Sequence, residues 1–176
     1  KINKKTKVVI YTAMNGRVGK IDLIKKICKK KNLTLIEDAA HAIGSYNKKI
    51  HVGNSGLAGS FSFSMPKLIT MGQGGAVITN NNKLANQLRL YKNFGRKKSG
   101  EDRHDHMGYN FKITDMQSML ALGQLKSVKS RIKKKKEIFA RYKSKLKDNL
   151  KIKFFDIKKN ETPWAVDIYL KDVKRL

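Results

Sequence analysis

Residues 50–82 contain one Lys or Arg, Lys67, and no Asp or Glu, in a chain that carries 40 Lys and Arg among 176 residues. A stretch that sheds its charge is usually bound for the interior, where a lysine is rare unless it is paired or working. Burial can depress an amine's pKa, and the free amine is the nucleophile of Schiff-base chemistry. Lys67 is therefore the first candidate for a reacting group. Asp38 is the second, because it ends a short apolar run that reads as a strand, and open parallel sheets bind ligands beyond their carboxyl ends. Other chemistries have weaker support. Gly72-Gln73-Gly74-Gly75 has neither the GxGxxG nor the Walker spacing of a phosphate loop. His104-Asp105-His106 places two histidines and a carboxylate in a charged loop with no further ligand nearby, so no metal is expected. Cys28, the sole cysteine, falls on an apolar helix face and reads as packing.

The elements that must hold these groups follow from periodicity. Residues 8–11 form an apolar, β-branched run expected to be a buried strand. Leu23, Ile24, Ile27 and Cys28 share one face of a helix over residues 22–31, closed by Asn32. Residues 33–37 are the next strand. This strand, helix, strand spacing suits a parallel crossover unit and an α/β fold. Residues 60–64 alternate Ser and Phe, which predicts a strand with Phe61 and Phe63 on one face, broken by Pro66. A strand over 76–79 and a helix capped by Asn82 and running to about Asn93 come next. Residues 94–108 read as an exposed loop. Thr114 and Gln117 make a capping box for a helix through Met116, Met119, Leu120 and Leu122. A long amphipathic helix carries Val128, Ile132, Phe139, Tyr142 and Leu146, and strands over 152–157 and 164–170 follow, joined by a turn around Asn160.

The formal net charge of +27 and pI near 10.2 raise the question of nucleic acid. The charges lie in KK and KKK runs on helix surfaces and loops, and aromatic residues are not interleaved with them as a stacking groove requires. A solvated, lysine-rich surface is the expected reading. No apolar run approaches the length of a membrane span and no signal peptide is visible, which with one cysteine fits a cytoplasmic protein. The chain starts at Lys1 and ends in a strand barely begun, so both ends read as cuts.

Four motifs in order then carry a resemblance: Glu37-Asp38-Ala39-Ala40-His41, Ser62-Phe63-Ser64-Met65-Pro66-Lys67, Thr70-Met71-Gly72-Gln73-Gly74-Gly75 and the run from Gly108 to Gln117. Together they resemble the DegT/StrS-type sugar-nucleotide aminotransferases, pyridoxal-phosphate enzymes of the aspartate-aminotransferase fold (type I). Thr162-Pro163-Trp164 is similar to the perosamine-synthase branch. The resemblance implies an α/β large domain, mostly parallel with helices on both faces, and the start of a small α+β C-terminal domain. Residues 1–126 would be part of the cofactor-binding domain with its N-terminal portion missing, 127–150 a connecting helix, and 151–176 the truncated start of the small domain.

By the same resemblance, Lys67 forms the Schiff base with pyridoxal 5'-phosphate and Asp38 partners the pyridine nitrogen. His41 lies near the ring and its hydroxyl, Ser62 binds the phosphate, and Asn110 reaches the cofactor phosphate of a partner subunit. The implied reaction moves an amino group, with glutamate as the donor, to a nucleotide-linked keto-deoxy sugar in polysaccharide or glycan precursor biosynthesis, in a homodimer with shared active sites. Lysine at position 67 sets the chain apart from the family's dehydratase branch, which has histidine there. Lys112 stands where the family commonly has Arg, and these cations differ at a bidentate site. The alternatives are a regulatory or nucleic-acid-binding protein using the basic surface, or an inactive fragment of the same fold.

Overall fold

The computed structural model describes residues 1–98, 100–149 and 151–170. Strand β1 (Val8–Thr12) leads into helix α1 (Ile21–Lys30), which buries Ile21 and Cys28 against the sheet. The helix ends at Lys30, and Asn32 then takes a left-handed φ of 51° that turns the chain back, as its position predicts. Strand β2 (Thr34–Asp38) runs parallel to β1 in register from Val8 with Thr34 to Thr12 with Asp38. Along β2 the inward residues are Leu35 and Glu37, the period-two alternation of a strand covered on one side.

A two-stranded hairpin, β3 (Tyr46–Asn47) and β4 (Ile50–His51), separates β2 from β5 (Ala58–Ser62), and β5 is parallel to β2. Strand β6 (Gly75–Ile78) lies antiparallel on the far side of β5, giving a four-stranded sheet in the order β1-β2-β5-β6. The sheet is thus mixed, with three parallel strands and one reversed edge, because a connection of a dozen residues brings β6 straight back along β5 without a crossover helix.

Glu37 explains how the middle of this sheet is set. Its carboxylate is 1% exposed and accepts backbone N–H groups from Gly53 (3.0 Å), Ser55 and Gly56 (2.9 Å), which folds the loop before β5 over β2. Gly59 fits beneath that loop because a Cβ there would stand 2.2 Å from the Gly53 carbonyl oxygen.

Helix α2 (Asn82–Lys92) is capped by Asn81, whose side chain accepts the Leu84 N–H at 2.9 Å, so the cap sits one residue before the expected Asn82. Helix α3 (Asp115–Lys126) has the Thr114/Gln117 capping box, and its Met116, Met119, Leu120 and Leu122 are exposed. Helix α4 (Val128–Lys145) covers most of the expected 127–150 helix and buries Phe139. Strands β7 (Ile152–Phe154) and β8 (Ile168–Leu170) pair antiparallel. Residues 171–176, the end of the expected small domain, lie outside the described residues.

Three strand expectations shorten: that over 152–157 to Ile152–Phe154, and two more where side chains bond nearby backbone groups. Strand β5 ends at Ser62, not Ser64: the Ser62 hydroxyl accepts the Ser64 N–H at 3.3 Å, while the Phe63 N–H still donates to the Gly74 carbonyl at 2.9 Å. The expected strand 164–170 shrinks to Ile168–Leu170. Residues 158–167 instead form a strap held by side-chain bonds, described below. The low-charge window is also less buried than its composition implies: Val52, Ala58, Ile69 and Met71 are inside, whereas Ile50, Leu57, Met65 and Val77 are exposed.

Candidate active site

Parallel strands share their carboxyl edge, so the ends of β2 and β5 fall together: Asp38 pairs with Ser60, and Ser62 closes β5 two residues on. Asp38 Oδ1 accepts the Ala40 N–H at 3.0 Å, an Asx turn that lifts the chain off the sheet and carries His41 over this edge. Lys67 follows β5 by five residues. Its backbone N–H donates to the Ser64 carbonyl at 3.1 Å, closing a turn through Pro66 that returns the lysine toward the same edge. The side chain is half-buried, not fully enclosed as the uncharged window implies. The Ser62 and Ser64 hydroxyls lie 3.1 Å apart.

His41 is the electrostatic centre of the group. Burial, and next the charge of Lys67, hold its pKa below the usual imidazole range, while Asp38 and Asp167 pull it the other way. Lys67 and Asp38 therefore both act on one imidazole, and that imidazole is neutral at neutral pH. Its Nδ1 is buried and has no hydrogen-bond partner. A buried polar atom left empty is uncommon in a folded chain and marks a place for an incoming polar group.

The His41 ring stacks on Trp164, centroids 4.1 Å apart and planes 3° from parallel. The Trp164 indole N–H donates to the Pro66 carbonyl at 3.2 Å, and Lys67 Nζ lies 5.0 Å from the indole centroid. Trp164 reaches this place on the strap of residues 158–167. Buried Glu161 accepts the N–H groups of Val18 and Lys158, each at 2.8 Å. Ser45 donates to the Gly16 carbonyl at 2.7 Å and accepts the Thr162 N–H at 2.9 Å, and Thr162 donates to the Gly44 carbonyl at 2.9 Å. From α4, Lys135 Nζ donates to the Trp164 carbonyl at 2.9 Å. Asp167 takes Arg17 and the Asn15 side-chain amide. Gly16, at φ 84°, lets the strap pack against it, since a Cβ there would stand 1.8 Å from the Thr162 carbonyl oxygen.

Nothing in the residues around Trp164 places it beside Lys67 and His41. The available signal was that the chain has one tryptophan and that it sits in a proline-bearing motif. Asn110 is exposed, bridges Asn93 through the backbone, and no hydrogen bond among the described residues joins it to Lys67, Asp38 or His41. It belongs to an apolar edge with Tyr109 and Phe111, which stack 5.1 Å apart. An open cleft of about 1250 Å3 lies beside that edge, lined by Ser60, Val77, Leu88, Tyr109 and Phe111 among others, and Lys67 is not among its lining residues. The converging polar groups, not this apolar cleft, mark the chemistry. His104, in the loop after α2, is held by the Phe94 carbonyl (2.8 Å) and Asp102 (3.2 Å), the first of which raises its pKa most. Lys112 Nζ lies 4.8 Å from the Phe94 ring centroid.

Residues 1–173 match the model of the DegT/DnrJ/EryC1/StrS aminotransferase family. The chain belongs to this family. Among curated members it is 35% identical over 150 residues to the UDP-4-amino-4,6-dideoxy-N-acetyl-beta-L-altrosamine transaminase of Helicobacter pylori, covering 84% of this chain and 40% of that one. It is 33% identical over 168 residues to the GDP-perosamine synthase of Escherichia coli O157:H7, covering 96% and 46%. The chain thus spans less than half the length of these curated relatives. Among solved structures of the family, Helicobacter pylori PseC, an aminotransferase of pseudoaminic acid biosynthesis, superposes with a TM-score of 0.92 at 31% identity over 99% of this chain and 49% of that one. The putative sugar aminotransferase Spr1654 of Streptococcus pneumoniae in its PLP-form shares the fold, with a TM-score of 0.88 at 24% identity over 97% and 49%. Two of these relatives are named as a transaminase and an aminotransferase.

Proposed function

We propose that this chain carries the lysine-bearing part of a pyridoxal-phosphate-dependent aminotransferase that passes an amino group, with glutamate as donor, to a nucleotide-linked keto-deoxy sugar. The observation that carries the proposal is the meeting of Lys67, Asp38 and His41 at one strand edge, with the His41 Nδ1 buried and unpartnered. The residues fit the cofactor chemically: an amine for its aldehyde, a carboxylate for its ring nitrogen, a neutral imidazole for its hydroxyl and a serine for its phosphate. Once bound, pyridoxal phosphate supplies a conjugated electron sink for negative charge at the substrate carbon.

Each side chain then has a definite task. With the cofactor bound, Lys67 Nζ would hold its aldehyde carbon, and the freed amine would take up and return a proton at the substrate carbon. Asp38, whose Oδ1 accepts the Ala40 N–H, would keep a proton on the ring nitrogen by its negative charge. His41, kept neutral by burial and by Lys67, offers Nδ1 to the ring hydroxyl without adding a competing positive charge. The Ser62 hydroxyl, beside that of Ser64, donates to the phosphate without adding charge. Exposed Asn110 reaches toward the phosphate held by a partner subunit, in a homodimer. We place the reaction in the cytoplasm, where nucleotide-linked precursors of polysaccharide are assembled. Residues 1–126 act as the cofactor domain, with 127–150 leading to a small domain that begins at 151.

The test is the absorption spectrum of the full chain incubated with pyridoxal phosphate. A band near the visible edge that is lost in Lys67→Ala supports the proposal, and an unchanged spectrum in the wild type rejects it.

A further inference from the structure

Lys67 has no carboxylate within ion-pair distance among the described residues. What faces its ammonium is an aromatic surface. Lys67 Nζ lies 5.0 Å from the centroid of Trp164, inside the range of about 6 Å over which a ring quadrupole attracts a cation. The ring is also held from several directions. Its N–H is fixed on the Pro66 carbonyl, its face rests on His41, and its own carbonyl is taken by Lys135 from α4. Two residues earlier, Thr162 is locked to Ser45 and Gly44, and before that Glu161 ties the strap to Val18. A half-buried indole with this many fixed neighbours is a rigid plate next to a long, flexible amine.

We propose that Trp164 is a positioning residue for Lys67: its indole face is the berth to which the Lys67 ammonium returns when that amine is neither bonded to the cofactor nor passing a proton. The proposal rests on the reading of Lys67 as the cofactor lysine, because only that role requires the amine to leave the cofactor and be recaptured. A lysine released into water explores many rotamers. A lysine released onto the Trp164 face stays beside His41 and its turn through Pro66, so each return starts from one geometry. The indole N–H bond to Pro66 aligns the plate, and the face does the holding.

The experiment uses the full chain freed of pyridoxal phosphate and briefly exposed to acetic anhydride. Acetylation of Lys67 is measured by peptide mass spectrometry relative to exposed Lys83. Trp164→Leu removes the face, whereas Trp164→Phe keeps a face and removes the N–H. The berth predicts acetylation of Lys67 about two- to fivefold faster in the Leu variant, and close to the wild-type rate in the Phe variant. An unchanged rate in Trp164→Leu overturns the proposal, as does a Phe variant as fast as Leu, since the Pro66 bond would then be the holding contact. Buried Cys28 gauges the fold in each sample, because its thiol is 3% exposed and resists labelling only while the core is intact. Should the Leu variant unfold, the wild type still decides by NMR. The ε-methylene protons of Lys67, found by comparison with Lys67→Arg, must resonate upfield of the other lysines under the ring current, and an unshifted signal overturns the berth. Loss of the visible band with pyridoxal phosphate would reject the cofactor reading instead, and leaves these cofactor-free measurements intact.

Discussion

His41 and Trp164 stack in parallel with centroids 4.1 Å apart, although they come from opposite ends of the chain. The stack joins the turn after β2 to the strap before β8, and it shuts one side of His41 off from water. Several consequences of this closure can be measured.

The first concerns acid. Burial and Lys67 lower the His41 pKa in the folded chain from the ordinary value of 6.5, which the unfolded chain keeps. The unfolded state therefore binds this proton first as pH falls, so stability is present above about 6.5 and declines below it until the folded pKa is passed. His104, whose pKa is raised mainly by the Phe94 carbonyl, has the opposite sign and is common to both proteins compared. Urea unfolding of wild type and His41→Gln between neutral and mildly acid pH should show a steeper loss in the wild type. Parallel curves would refute this.

A second consequence follows from Gly16. An alanine there would need a left-handed φ and would drive its Cβ into the Thr162 carbonyl. Gly16→Ala should cost at least about 1 kcal/mol and push the strap outward. Because Trp164 is the sole tryptophan of this chain, its displacement reads out as a red shift of its emission. Unchanged emission would mean that the strap does not depend on this contact.

Glu37 offers a test of the sheet. Removing its carboxylate leaves three inward N–H groups, of Gly53, Ser55 and Gly56, without an acceptor. Glu37→Ala should lower unfolding free energy by about 3 kcal/mol or more, and Glu37→Gln, which keeps one oxygen, by less. Equal losses in urea titrations would show that packing rather than these bonds accounts for the effect.

Asp38 separates binding from chemistry. Asp38→Asn keeps an acceptor for the Ala40 N–H but loses the charge that holds a proton on the ring nitrogen. The full-length variant should still take up pyridoxal phosphate at Lys67, with a turnover reduced about a hundredfold or more. Turnover near wild type would remove Asp38 from the proposed role.

What the sequence disclosed was local. The end of β2 at Asp38, the left-handed Asn32 and the Thr114/Gln117 capping box are each decided within a few residues, and periodicity or side-chain chemistry exposes them. Lys67 stood out because its surroundings lacked charge. The reversal of β6 was hidden, since a period of two has no direction. Trp164 was hidden for a different reason. Its bond to Pro66 spans 98 positions, and the Glu161 bond to Val18 spans 143, so nothing near either residue announces the partner. The strap is built of side-chain to backbone bonds, which follow no period at all.

Whether Lys67 alone among so many lysines is the cofactor residue is decided by borohydride reduction. The full chain is incubated with stoichiometric pyridoxal phosphate, reduced, digested and mapped by mass. One phosphopyridoxyl adduct is expected, on the peptide containing Lys67. Adducts spread over the exposed lysines of α1 and α4, or absent from Lys67, would contradict it.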